Sequence, residues 1–182
     1  MEFSYRRATA RDYPAILKLQ SDNYLPNVAP ENRSQGFLSA EFSAGQVAAI
    51  AEDLGITIAA ESGSLAGYLC AFRREFEHGS PVLGEMLHSY DRVRFNGRTI
   101  SSYESYIYGP VCVARDYRGQ GILRQLYEAQ RKDLVGRFDI GVAFVARANS
   151  HSLNAHVAGL GMTDAGDFEV GGKAYAILVF SP

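Results

Sequence analysis

Arg118-Gly119-Gln120-Gly121 stands between two stretches of opposite character. Before it runs Tyr106-Ile107-Tyr108-Gly109-Pro110-Val111-Cys112-Val113, rich in β-forming residues. After it, Ile122, Leu123, Leu126, Tyr127, Ala129 and Leu134 fall on one helical face, interrupted by Gln130 and Asp133. Arg124, Gln125, Glu128 and Arg131 fall on the other. A strand, a tight glycine turn and a helix start present unpaired backbone N–H groups and the positive end of a helix dipole. The chemistry such an arrangement does is to bind phosphate. Gly119 and Gly121 lack a Cβ, so a phosphate can come close to the backbone, and Arg118 adds a full positive charge.

Three kinds of phosphate loop compete. A nucleoside-triphosphate loop ends in Gly-Lys-Ser or Gly-Lys-Thr, which is absent here. A dinucleotide fingerprint needs a third glycine three residues after Gly121, where Arg124 stands, and an acidic residue closing the next strand, whereas Asp139 opens it. Arg-Gly-x-Gly after an apolar strand ending in Val111-Cys112-Val113 resembles the pyrophosphate-binding motif of the GNAT acyltransferases. The resemblance continues through a buried stretch at residues 139–146, then Asn149, Ser152, His156 and Leu160-Gly161-Met162. This is similar to the second GNAT motif, in which an Asn, a Ser and an aromatic residue lead into Leu-Gly-Phe. Residues 103–180 carry the likeness. The family usually has Gly or Ala at Leu123, and its Tyr before Leu-Gly-Phe is replaced nearby by His156.

The resemblance implies acetyl-coenzyme A as co-substrate and no metal. It puts the pyrophosphate on Arg118, Gly119, Gln120, Gly121, Ile122, Leu123 and Arg124. It puts the acyl-bearing arm along Val111, Cys112 and Val113, with Asn149 and Ser152 at its side. A helix N-cap is the plainer use of Asn149.

Acyl transfer from a thioester to an amine makes three demands. The ammonium, with a pKa of about 10.4 for a lysine-like amine, must lose its proton. The oxyanion needs hydrogen-bond donors, which the resemblance implies to be a backbone N–H around Val111 to Val113, and the departing thiolate benefits from a proton. Glu104 is the candidate base: it lies near the start of the fourth strand, where the resemblance implies a carboxylate, and strand alternation puts Glu104, Tyr106 and Tyr108 on one face. Tyr108 or His156 is the candidate acid. Cys112, in an apolar strand without a fixed partner base, reads as a small hydrophobe rather than a nucleophile, so direct transfer through a ternary complex is expected. Two rivals are a non-catalytic acyl-coenzyme A sensor and a nucleotide-cofactor enzyme of another class.

Composition is compatible with this. The 182 residues suffice for one domain, residues 1–182, with its own core. A net charge of −2 without a basic tract argues against nucleic acid as a partner, and no apolar run reaches the length of a membrane span. Cys70 and Cys112 form no disulfide framework, so a cytoplasmic setting is expected. His78, His88, His151 and His156 have no metal-ligand spacing. The expected partner is a small-molecule amine, and pairing with a second copy of the chain beside it is left open.

The elements that must hold these residues are a strand at 4–8 and a helix capped by Thr9 or Asp12 that ends near Asn23. A loop at 25–35, a helix capped by Ser43, and a hairpin at 56–61 and 65–72 follow. Residues 73–102 are the least legible, with a short helix at 82–90. A fourth strand at 103–113, the glycine-turn helix, a fifth strand at 139–146 and a helix at 152–158 come next. A hairpin turning at Gly171-Gly172 closes the chain. The fourth and fifth strands flank a helix and should run parallel. The expected class is mixed α/β (α+β): a mostly antiparallel sheet, flanking helices, and a fourth and fifth strand that splay apart at Gly109-Pro110, as the resemblance implies. Recognition of the acceptor is expected from residues 24–37 (Tyr24, Asn27, Glu31, Asn32, Phe37) and 73–102 (Glu75, Glu77, Glu85, Asp91). Arg73, Arg74, Arg92 and Arg94 balance that second charge, which favours a small molecule over a polycationic tail.

Overall fold

The computed structural model describes residues 2–76 and 79–182; Glu77 and His78 lie outside the described residues. In chain order the elements are β1 (Ser4–Arg7), α1 (Tyr13–Asn23), α2 (Ala44–Glu52), β2 (Gly55–Glu61), β3 (Ser64–Arg73), α3 (Pro81–His88), β4 (Arg94–Phe95), β5 (Arg98–Thr99) and β6 (Ser105–Val113). Then come α4 (Ile122–Leu134), β7 (Ile140–Ala146), α5 (Ser150–Asn154), β8 (Thr163–Val170) and β9 (Lys173–Phe180). One seven-stranded sheet has the order β1-β2-β3-β6-β7-β9-β8, antiparallel except where β6 meets β7. Ile16, Val47, Ile50, Leu83 and Met86 bring α1, α2 and α3 onto one face. Ile122, Leu126, Tyr127 and Leu134 bring α4 onto the other.

Local sequence explains several boundaries. Ser43 accepts from the Gln46 backbone while the Gln46 side chain accepts from Ser43 N–H, a reciprocal cap that starts α2. The stretch expected to be illegible contains a second, two-stranded sheet of β4 and β5 that the strand reading missed. Its turn is Asn96-Gly97, with φ of +48° and +81°, a hairpin signature in plain sight. The helix expected at 152–158 is instead α5 followed by a π-helical turn, Ala155–Gly159. Among the described residues no helix is long and apolar enough to cross a membrane.

The expected parting of the two central strands is present. β6 pairs with β7 only at Ser105–Ile140, Tyr106–Gly141 and Ile107–Val142. On its other side, Leu69 opposes Val111 and Ala71 opposes Tyr108, so β6 carries one residue more than β3 across this span. That bulge contains Pro110, which has no N–H to offer the Cys70 carbonyl. Gln130, the polar intruder on the apolar face of α4, donates to that carbonyl at 3.1 Å and is buried for this purpose. Tight packing continues at the closed end of the parting, where a Cβ on Gly141 would run into the Phe180 ring. Gly141→Ala should therefore lower the unfolding free energy by about 1–3 kcal/mol in denaturant melts, the usual cost of overpacking.

Candidate active site

Two adjoining cavities open where β6 and β7 part. The first, about 410 Å³, runs from the glycine turn and the start of α4 to Val111, Cys112 and Val113. Its size suits a ligand site. The second lies across the parting and is lined by apolar side chains including Phe42, Phe72, Leu83 and Phe144. Phe37, Leu38, Val111, Ser152 and His156 line both.

The glycine turn is built as its composition suggests. Gly119 and Gly121 adopt φ of +75° and +78°, and nothing lies within 4 Å of where a Cβ on either would stand. Gly121 is the N-cap of α4 and supplies no side-chain cap, so the first helical N–H groups remain open to a ligand. Arg118, Gly119, Gly121, Ile122, Leu123 and Arg124 line the cavity. Gln120 does not line it; its side chain turns back to the Asp116 carbonyl. Arg118 differs from expectation in its hydrogen bonding. Its guanidinium donates to Val113 O at 3.1 Å, Gln35 O at 2.8 Å and Asn23 Oδ1 at 2.8 Å. It brings charge to the cavity while serving as a brace. Arg124 likewise donates to the Gly159 carbonyl beyond α5.

The backbone of β6 offers donors on its free edge. Ala114 N–H donates to Ala66 O at 2.8 Å. Antiparallel alternation then turns the Cys112 amide toward β3 and those of Val111 and Val113 toward the parting. Val113 O is taken by Arg118, whereas the Val111 N–H faces the cavity wall with no strand beside it.

Tyr108 and His156 meet at this junction, both buried. His156 Nδ1 lies 2.7 Å from Ser152 O, which can only accept, so Nδ1 carries the hydrogen. Nε2 is then an acceptor for the Tyr108 hydroxyl at 3.3 Å. Burial pushes the Tyr108 hydroxyl well above its ordinary range. Burial also holds His156 below the usual histidine value, against the opposing pull of its bond to Ser152. The pair is therefore a neutral phenol donating to a neutral imidazole. His156 belongs to the π-helical turn, a kind of distortion frequent at functional sites.

Glu104 is not brought to this place, which corrects the expected grouping. It precedes β6 at the closed end of the parting, is exposed, and lines neither cavity. Its backbone N–H donates to Asp139 Oδ2 at 3.0 Å, and its carbonyl accepts from Asp139. Glu104 lies one position before β6 begins, where strand alternation no longer applies. Cys112 is buried, and burial pushes its thiol up to about 12 despite Arg118, so it holds its proton at neutral pH. Asn149 caps α5 by accepting from Ser152 N–H at 3.2 Å and donates to Phe37 O at 2.8 Å. Each of its functional groups thus has one protein partner, and the residue also lines the second cavity.

A strap missed by sequence reasoning crosses the parting. Residues 35–42 run over both cavities and place Phe37, Leu38 and Phe42 in their walls. Gln20, buried in α1, holds one end by donating to Phe42 O and accepting from Phe42 N–H. Arg118 and Asn149 hold the other through Gln35 O and Phe37 O. Of the residues expected to recognise the acceptor, Phe37 lines the cavities; Tyr24, Asn27, Glu31, Asn32, Glu75, Glu85 and Asp91 do not.

No protein-family model matches the chain, and no curated protein matches it in sequence. Solved structures do match it. An N-acetyltransferase from Staphylococcus aureus Mu50 superposes with a TM-score of 0.66 at 16% identity, covering 100% of this chain and 99% of its own. A putative acetyltransferase from Salmonella typhimurium, solved with acetyl-CoA, gives 0.63 at 15%, covering 98% and 93%. The ribosomal-protein-alanine N-acetyltransferase from Brucella melitensis gives 0.64 at 17%, covering 98% and 99%. The fold is thus that of the GNAT N-acetyltransferases, as the glycine turn and its neighbouring motif suggested.

Proposed function

We propose that the chain is one N-acetyltransferase domain that moves an acetyl group from acetyl-coenzyme A to the primary amine of a small molecule, by direct attack within a ternary complex. The observation that carries this reading is the parting of β6 and β7. It joins a glycine-turn cavity to an apolar one, with the Tyr108–His156 pair and the Val111 N–H at the junction.

The residues fit the acyl donor. Open N–H groups at Gly121 and the first turn of α4 suit a pyrophosphate, and the absent Cβ atoms leave it room. Bound acetyl-coenzyme A supplies a thioester whose carbonyl carbon the amine attacks. The Val111 N–H, which has no strand beside it, would donate to the carbonyl oxygen as that oxygen gains charge while the C–N bond forms. The Tyr108 hydroxyl gives its proton to the departing sulfur as the C–S bond breaks. The surplus proton of the new amide nitrogen returns to the Tyr108 oxygen, directly or through His156 Nε2. The proton lost by the amine thus ends on the thiol, and no side chain is left changed.

Coenzyme A should raise the melting temperature where NAD and ATP do not, and acetyl-coenzyme A with a panel of amines should release free thiol. Preference for NAD or ATP, or stabilisation without thiol release, would overturn the proposal. Cys112→Ala should keep most of the turnover and give intersecting initial-rate lines, because its protonated, buried thiol carries no acyl group. A ping-pong pattern, or acetyl trapped on Cys112 by mass spectrometry, would reverse this.

A further inference from the structure

We infer that the acceptor carries its amine on an apolar group of about the size of an aromatic ring, not on a polyamine, an aminosugar or a basic peptide. The inference rests on the acetyl-transfer reading and concerns the second cavity. That cavity, about 100 Å³, is walled by Phe37, Phe42, Phe72, Phe144, Leu83 and Ile107. No Asp, Glu, Lys or Arg lines it among the described residues. Its polar lining offers no counter-ion, and two of those groups already have protein partners: Asn149 bonds to Phe37 and Ser152, and the His156 ring to Ser152 and Tyr108.

This lining decides between acceptor classes. A second ammonium, as in a polyamine, would be stripped of water with no carboxylate to pair with, which is strongly disfavoured. A sugar would bury several hydroxyls against hydrocarbon. An apolar ring gains instead: burying it favours binding by roughly 10- to 100-fold over leaving it in water. The same surroundings serve the chemistry. An amine desolvated among apolar side chains is biased to its free base, which is the nucleophile, so the site has less need of the carboxylate base expected at Glu104. Of the carboxylates expected to attract a cation, Glu75, Glu85 and Asp91 stand outside the cavity.

Ser80 gives a clean test. It lines the cavity and caps α3 by accepting from Leu83 N–H at 3.3 Å, a role aspartate fills equally well, so Ser80→Asp adds a carboxylate and keeps the cap. With acetyl-coenzyme A, kcat/KM for 2-phenylethylamine should exceed that for spermidine, glucosamine or a lysine peptide by at least about 10-fold. Ser80→Asp should shrink that ratio by about 10-fold while the melting shift with coenzyme A stays unchanged. A wild-type preference for spermidine, glucosamine or the peptide would overturn the inference, as would a ratio that Ser80→Asp does not move. So would octanoyl-coenzyme A outperforming acetyl-coenzyme A with phenylethylamine competing against the longer chain, which would give the cavity to the acyl group. Should no amine turn over, melts of the coenzyme A complex decide. Stabilisation by phenylethylamine and not by spermidine supports the cavity assignment while the transferase reading falls; stabilisation by neither overturns both.

Discussion

Replacing Gly121 with glutamate is expected to weaken coenzyme A binding by at least about 100-fold, because like charges in close contact cost several kcal/mol. Two effects combine in that loss. Gly121 holds φ at +78°, a conformation that costs an L-residue roughly 1–2 kcal/mol. The new carboxylate would also stand where the open N–H groups of α4 face the ligand, cancelling the helix dipole's attraction. Gly121→Ala separates the two. Nothing lies within 4 Å of the added Cβ, so alanine carries the backbone cost without the charge and should bind only modestly more weakly. Titration calorimetry on both folded variants checks this. Equal affinity in Gly121→Glu and wild type would remove the pyrophosphate from this turn.

Tyr108→Phe should lower kcat by about 100-fold with little change in the KM for acetyl-coenzyme A, the lower range for loss of acid–base catalysis. Phenylalanine keeps the edge-to-face contacts with Tyr127, His156 and Phe180 and loses only the hydroxyl. Glu104→Gln, at the closed end of the strand, should leave turnover close to wild type. The reverse pattern would return the carboxylate to the mechanism. His156 adds a pH signature. Its folded pKa lies below the unfolded value of about 6.5, so below that pH the unfolded chain binds the proton that the folded one refuses. Stability should fall as pH drops from about 6.5 toward the folded value, and His156→Gln should flatten that part of the profile in melts. An unchanged slope would mean that His156 is not held neutral by burial.

What could be read from the sequence was what short segments decide among themselves. The glycine turn, the Ser43 cap of α2 and the Gly171-Gly172 hairpin depend on residues a few positions apart, and each formed where expected. Proline cannot donate to a ladder, so Pro110 marks an interruption of its strand in the sequence itself, and the bulge accommodates it. The partners that resolve it were not legible, since Gln130 reaches Cys70 from 60 residues away. The strap escaped for the same reason: it is tied by Arg118 to Gln35 and by Asn149 to Phe37, at separations of 83 and 112 residues. Glu104 was misplaced because alternation fixes which face a side chain takes, and leaves open how far along the strand the site lies.

Sheets ordinarily keep free edges at their rims, where solvent or a blocking charge occupies them. Here the edge of β6 beyond Ile107 lies inside the sheet, recessed between two leaves and covered by residues 35–42. Such an edge is out of reach of another protein's strand, so it can stay unpaired without inviting aggregation. Only a slender chain bearing amides of its own can lie along it and complete the ladder in miniature. On the acetyl-transfer reading, that gives the protein a way to tell coenzyme A from other adenine nucleotides. The phosphates they share would engage the turn at Gly119 and Gly121, and the amide-bearing arm would be recognised as though it were a missing strand.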